Sequence, residues 1–444
     1  MKILFAASEC LPFIKTGGLA DVVGTLPKAL LSPEDEVRVI LPCYNCIPQK
    51  YRDQMVYKGS FMMDLCSDGR TFYVGIMETE MDGVIYDFID NREFFDWGNP
   101  YTGLWEDIPK YCYFSKAALA ALNFLEWTPD VVHCHDWQAG LVPVYLKTKF
   151  WNTPVGAART ILTIHNLRFQ GICSIPHLKY WSGLKDDLFD YPVLKINEDE
   201  VNMFKAGLAL TDWITTVSET YADEIQTPAF GEGLDSHLRY HSPKLSGIVN
   251  GIDVELWNSE TDSLLAATYS AENVLEKKKE NKRALQEKLG LDQDGNKMVL
   301  GLISRLTDQK GLDLVNAVFQ EVVDDRTQVV ILGTGDPRYE DAFRYYESAH
   351  KGSVCAYISY NEALAQLKAD VRNKADAIVG LHTSVCSMNG PIAYILITVC
   401  GTAVKLERII EPLPVTASSI KQAQEAKRLA EEQKRQTEAK RRLE

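Results

Sequence analysis

Four short segments carry residue types suited to a polar, anion-tolerant site. The first is Ser8-Glu9-Cys10-Leu11-Pro12-Phe13-Ile14-Lys15-Thr16-Gly17-Gly18-Leu19-Ala20-Asp21-Val22, a Gly-Gly turn that leaves a short apolar run and enters a helix. Glycines at a helix start let a ligand approach the backbone closely, and the free N–H groups there attract an anion. Lys15 adds a full positive charge, although the same letters also suit a tight turn that binds nothing. The second segment, Cys134-His135-Asp136-Trp137-Gln138-Ala139-Gly140, and the third, His165-Asn166-Leu167-Arg168-Phe169-Gln170-Gly171, each follow a short apolar run. Polar residues at the carboxyl ends of parallel strands face the crevice where such sheets bind ligands. His133 and His135 point the same way on a strand, but no further ligands follow at a spacing that would complete a zinc site. The fourth segment, Arg305-Leu306-Thr307-Asp308-Gln309-Lys310-Gly311, places two cations before a helix. Phosphate oxygens would be held there by charge and helix N–H groups; a solvated loop would explain the same letters.

The elements that must position these residues alternate short apolar runs with amphipathic stretches, the pattern of repeated βα units and a mainly parallel sheet. Strands are expected at Lys2 to Ala7, Val37 to Leu41, Phe72 to Glu78, Val84 to Ile89, Val131 to His133, Thr160 to Ile164, Trp213 to Val217 and Leu245 to Val249. Helices are expected at Leu19 to Leu31, Ile108 to Leu125 and Glu198 to Ala209. Asn250-Gly251-Ile252-Asp253 reads as a hinge turn. A second series follows: a charged helix at Leu275 to Leu289, strands at Met298 to Ser304 and Gln328 to Leu332, and helices at Leu312 to Glu321 and Tyr339 to Ser348. Asp292-Gln293-Asp294-Gly295-Asn296 begins like a calcium loop but lacks the distal Glu, so it reads as a surface turn.

Composition narrows the function classes. The 444 residues, 46% hydrophobic and 24% charged, suit an ordinary globular protein of two domains. Lys and Arg number 47 against 61 Asp and Glu, a net charge of −14 that has no broad field for nucleic acid. The apolar stretch after Lys2 is too short for a signal peptide and no run approaches a membrane span, so no membrane association is expected. Widely spaced cysteines suggest reduced thiols and a cytoplasmic location.

Taken in order, these segments resemble the bacterial-type glycogen synthase and starch synthase family over about residues 1–365. Further matches are Thr163-Ile164-His165-Asn166, Asn202-Met203-Phe204-Lys205-Ala206-Gly207, Thr215-Thr216-Val217-Ser218, Gly247 to Asp253 and Ser304 to Gly311. The resemblance implies two facing Rossmann-like domains of GT-B type and a retaining glucosyltransferase. It implies glucose transfer from ADP-glucose to the non-reducing end of an α-1,4-glucan, with no metal and no cofactor. Lys15, Gly17 and Gly18 would meet the donor diphosphate, and Asp21 the transferred glucose or the acceptor. Asp136, His165 and Asn166 would line the glucose pocket, with the His165 backbone or ring near the reacting centre, and Asn250 would sit in the cleft between domains. Arg305 and Lys310 would neutralise the charge that grows on the leaving ADP.

The expected organisation is a first Rossmann-like domain over 1–255 and an incomplete second one over 263–366. A β-rich segment over 367–411 and a charged helical tail over 419–444 follow. The chain departs from the family after Tyr360-Asn361-Glu362-Ala363-Leu364-Ala365, where members continue into a Glu-x7-Glu segment that is missing here. Ala375 to Leu381 and Gly401 to Glu407 instead resemble the small YbjQ-like family, sometimes labelled heavy-metal-binding. That resemblance suggests a strand pair through which copies of the chain could form a homo-oligomer. His382, Cys386 and Cys400 could ligate a metal there, but scattered soft ligands in an apolar segment suit core positions better. The tail from Lys421 to Glu444 holds eight Lys or Arg against five Glu and reads as a solvated helix. A competing reading of the whole chain is a non-catalytic glucan- or nucleotide-binding assembly protein.

Overall fold

A computed structural model describes residues 1–358, apart from Trp97 and Tyr191, and the backbone of Ala377–Ile378. It divides into two compact units, Met1–Glu255 and Leu256–Glu444. The expectations for a β-rich segment at 367–411 and a helical tail at 419–444, with His382, Cys386 and Cys400, lie outside the described residues except for Ala377–Ile378.

The first unit is built on a nine-stranded sheet. In chain order its strands are β1 (Lys2–Ala6), β2 (Glu36–Pro42), β3 (Val56–Asp64), β4 (Thr71–Met81), β5 (Val84–Asp90), β6 (Val131–His135) and β7 (Arg159–Ile164). A separate pair, β8 (Ile172–Ser174) and β9 (Glu200–Asn202), precedes β10 (Trp213–Thr216) and β11 (Leu245–Gly247). The order across the sheet is β11-β10-β7-β6-β1-β2-β5-β4-β3. The strands from β11 to β5 run parallel, and at the other edge β4 is reversed, pairing antiparallel with both β5 and β3. Central strands buried on both faces must be apolar throughout, which is why β1 reads Ile3-Leu4-Phe5-Ala6 with each residue inaccessible or nearly so. Helix Gly18–Leu30 turns Leu19, Ala20, Val23 and Pro27 inward at helical spacing. The longest helix, Leu104–Phe124, is buried almost all round from Asp107 to Leu122.

The second unit holds β12 (Met298–Ile303), β13 (Thr327–Leu332), β14 (Val354–Tyr357) and β15 (Ala377–Ile378) in the order β14-β13-β12-β15, all parallel. Helices Leu312–Val322 and Pro337–Ala349 pack through Phe319, stacked on Tyr346 at 3.9 Å, and through Phe343.

One expected helix is corrected. The span Glu198 to Ala209 is not helical from its start: Glu200–Asn202 form β9 and the helix begins at Met203, because the Asn202 side chain accepts the Lys205 N–H at 2.9 Å and so caps it. Strand β3 went unforeseen: an edge strand covered on one side only, it shows no clean alternation. Among the described residues no helix is long and apolar enough to cross a membrane.

Candidate active site

Strands β1 and β6 are neighbours, pairing Ala6 with Cys134, and β6 lies beside β7, pairing His135 with Thr163. Three of the chemistry-bearing segments therefore leave one edge of the sheet side by side. After β1, the chain passes buried Ser8 and Glu9 and reaches Lys15. The Glu9 carboxylate gathers this loop: it accepts the Thr16 hydroxyl at 2.7 Å, the Gly17 N–H at 3.2 Å and the Thr16 N–H. Tyr101, carried by the segment before the longest helix, donates its hydroxyl to the same carboxylate at 2.5 Å and lies 2.9 Å from the Ser8 hydroxyl. Burial pushes the Tyr101 hydroxyl well above its ordinary range, and the Glu9 charge adds to that, so it stays a donor. Its segment is in turn anchored by Lys110, which donates to the Pro100 carbonyl at 2.9 Å and to Asp107 at 2.6 Å.

The loop so held presents Lys15 and the start of helix Gly18–Leu30. Nothing lies within 4 Å of where a Cβ would stand on Gly17 or Gly18, so that face is open to a ligand. Lys15 Nζ lies 2.5 Å from Asp21 Oδ1, both side chains being partly exposed. A phosphate drawn to Lys15 would compete with that carboxylate.

At the end of β6, Asp136 is bent into φ +55°, ψ −172°, a backbone region that non-glycine residues rarely enter and that costs roughly 1–3 kcal/mol. The bend turns its carboxylate toward the end of β7, where Oδ1 accepts the His165 N–H at 2.7 Å and the Asn166 N–H at 3.2 Å. Burial pushes the Asp136 carboxyl up to about 7, against the pull of these two N–H groups and with some help from the Glu9 charge. His135 Nδ1 lies 2.9 Å from His165 Nε2, and His133 Nε2 lies 2.6 Å from the Thr163 hydroxyl. Burial holds all three imidazoles neutral, His133 down to about 3 and His165 to about 4. The rings pack in a row at a tilt, His135 4.3 Å from His133 and 5.2 Å from His165, with Phe5 against the first two. Among the described residues no group of three or more His, Cys, Asp or Glu could hold a metal ion. The wall formed here offers neutral hydrogen-bonding groups beside an anion-ready loop, a combination suited to a sugar joined to a phosphate.

In the second unit, Arg305 and Lys310 follow β12, with Gly311 at φ +64° leading into helix Leu312–Val322. Burial holds the Lys310 ammonium below its ordinary range and the Arg305 charge lowers it further, as expected of two cations that share a small region. Asn250 is exposed in the segment that ends the first unit.

Residues 2–240 match the family described as the starch synthase catalytic domain. The chain is 48% identical over 365 residues to a glycogen synthase of Lachnospira eligens, covering 82% of this chain and 76% of that one. The chain belongs to the glycogen and starch synthase family. A glycogen synthase of Lachnoclostridium phytofermentans is 46% identical over 361 residues, covering 81% and 75% of the two chains. The solved catalytic domain of starch synthase IV from Arabidopsis thaliana, bound to ADP and acarbose, superposes with a TM-score of 0.76 at 32% identity, covering 85% of this chain and 77% of that one. The protein is thus a glycosyltransferase, and its α/β architecture is the GT-B type of these synthases.

Sequence reasoning missed three residues that organise this synthase's site. Glu9 stands inside the first segment, yet its partners Thr16, Gly17 and Tyr101 cannot be read from spacing. Tyr101 lies 92 residues away. His135 contacts His165, thirty residues on, a partner that strand spacing does not indicate.

Proposed function

We propose that this synthase transfers glucose from ADP-glucose, with retention, to the non-reducing end of an α-1,4-glucan such as glycogen. The observation that carries the reading is the meeting of an anion-ready loop, Lys15 with the open face of Gly17 and Gly18, and a polar wall, Asp136, His165 and Asn166, at one edge of one sheet. Lys15, Gly17 and Gly18 take the diphosphate, and Asp21 serves the transferred glucose or the acceptor. Asp136, His165 and Asn166 orient the sugar. Arg305 and Lys310 stabilise the charge that develops on the departing ADP as the anomeric carbon takes on oxocarbenium character. Asn250 contributes from the end of the first unit. No metal or other cofactor has a role in this scheme. The cysteines of the described residues are free and mostly buried, which suits a reducing, cytoplasmic compartment.

Glucan incorporation from radiolabelled ADP-glucose tests the reading. The missing Glu-x7-Glu segment supplies carboxylates in the family, so the 444-residue chain should transfer glucose poorly and a version with a completed second domain should transfer it well. Equal turnover by the two would show that the catalytic groups come from elsewhere. Binding of ADP-glucose and glucan without turnover by either version would favour a non-catalytic assembly protein.

A further inference from the structure

The hydrogen bond between His135 and His165 contains one proton, and its ownership decides what His165 can offer a ligand. His135 is fully buried, with Nδ1 2.9 Å from His165 Nε2, and its other nitrogen, Nε2, is buried without a hydrogen-bond partner. Both rings are neutral, so each carries one N–H. If His165 donated from Nε2, His135 would hold its proton on Nε2, a buried N–H with no acceptor. If His135 donates from Nδ1, only a lone pair at Nε2 goes unmet. Unpaired buried N–H groups are rarer and costlier than unmet acceptors, which selects the second arrangement.

We propose that His135 is a positioning residue that fixes the His165 proton on Nδ1, so that His165 meets the donor as a hydrogen-bond donor and not as a base. The geometry holds His165 from two sides: the His135 ring fixes its imidazole, while the Asp136 carboxylate fixes its backbone N–H at 2.7 Å. His165 is only half-buried, and its Nδ1 has no partner among the described residues. The Nδ1–H is thus left for a ligand, and the chemistry it recognises is a hydroxyl or phosphate oxygen that accepts. Phe5 and His133, packed at 5.6 Å and 4.3 Å from the His135 ring, prevent that ring from turning over to change which nitrogen faces His165. This inference rests on the reading of the pocket as the site of the donor sugar, but only in naming the ligand.

The test is the tautomer itself, read by nitrogen–proton correlation NMR of the intact chain with labelled imidazoles, the His165 signals being assigned by their loss in His165→Gln. The expected pattern is a protonated Nδ1 and a bare Nε2 on His165. In His135→Leu, His165 should revert to the Nε2–H form that free imidazole side chains prefer. In His135→Asn, the side-chain amide can still donate from near the Nδ1 position and His165 should keep Nδ1–H. A wild-type His165 protonated at Nε2 overturns the proposal, and so does an unchanged tautomer in a folded His135→Leu protein; if that variant does not fold, the wild-type and His135→Asn spectra decide. On a chain with a completed second domain, His135→Leu should lower kcat roughly tenfold with His135→Asn restoring most of it, the effect of losing one oriented hydrogen bond. A changed tautomer with unchanged kcat would overturn the role assigned to His165. Absence of transfer in every version, with the expected tautomer present, would count against the transferase reading alone.

Discussion

Asp136 links the fold to the site through one carboxyl, and replacing it with Asn separates its charge from its shape. Asn keeps an oxygen for the His165 and Asn166 N–H groups, now 2.7 and 3.2 Å from Oδ1, and tolerates the positive φ of +55° better than most residues. What Asn removes is the cost of a buried negative charge. Raising a carboxyl from its ordinary value near 3.8 to about 7 corresponds to roughly 4 kcal/mol at about 1.4 kcal/mol per pH unit. The sign follows from linkage: the folded state binds the proton more tightly than the unfolded one, so this favourable contribution is whole below pH 4 and is lost as pH rises to about 7. Between about pH 5 and pH 8 the wild-type chain should therefore lose roughly 2–3 kcal/mol relative to Asp136→Asn. Urea unfolding of both proteins across that range measures the difference, since the other carboxyls titrate alike in the two. Asp136→Ala, which loses both acceptor contacts and keeps the strained backbone, should be less stable than Asp136→Asn by about 2–3 kcal/mol at any pH in the range. Parallel stability curves for wild type and Asp136→Asn would refute the reasoning and show that Asp136 is solvated well enough to stay charged.

Lys15→Ala should raise the KM for donor more than it weakens glucan binding, which steady-state kinetics with each substrate varied would show. Glu9→Ala should do the same indirectly by freeing the Lys15 loop, and should cost roughly 2–3 kcal/mol in thermal or urea unfolding because the Tyr101 hydroxyl and two loop N–H groups lose their acceptor. Arg305→Ala and Lys310→Ala, in a chain with a completed second domain, should each lower kcat by about 10² to 10³, as when one charge-stabilising donor is lost; unchanged kcat would place both on a solvated loop. Gly207→Ala should destabilise the first unit by roughly 1–3 kcal/mol, because its new Cβ would stand 2.3 Å from the Gly140 carbonyl oxygen, where helix meets helix through backbone.

Much of the positioning framework is legible in the letters. Buried parallel strands must be apolar on both faces, so β1, β6, β7 and β10 appear as short Ile, Val, Leu and Phe runs, and polar residues after each run mark the sheet edge where a ligand can bind. That rule singles out Lys15, Asp136, His165 and the Arg305–Lys310 pair as candidates. Strand β3 and the true start of the helix at Met203 are not legible in this way, since an edge strand has little burial to impose a pattern and a cap is decided by one side-chain hydrogen bond. Which site residues act together depended on tertiary structure. The side-by-side placement of β6 and β7 brings Asp136 and His135 to His165, and the return of the chain before Leu104 brings Tyr101 to Glu9. Protonation followed the same division: the sequence names the carboxyls and imidazoles, but only their removal from water leaves Asp136 near neutrality and all three histidines uncharged.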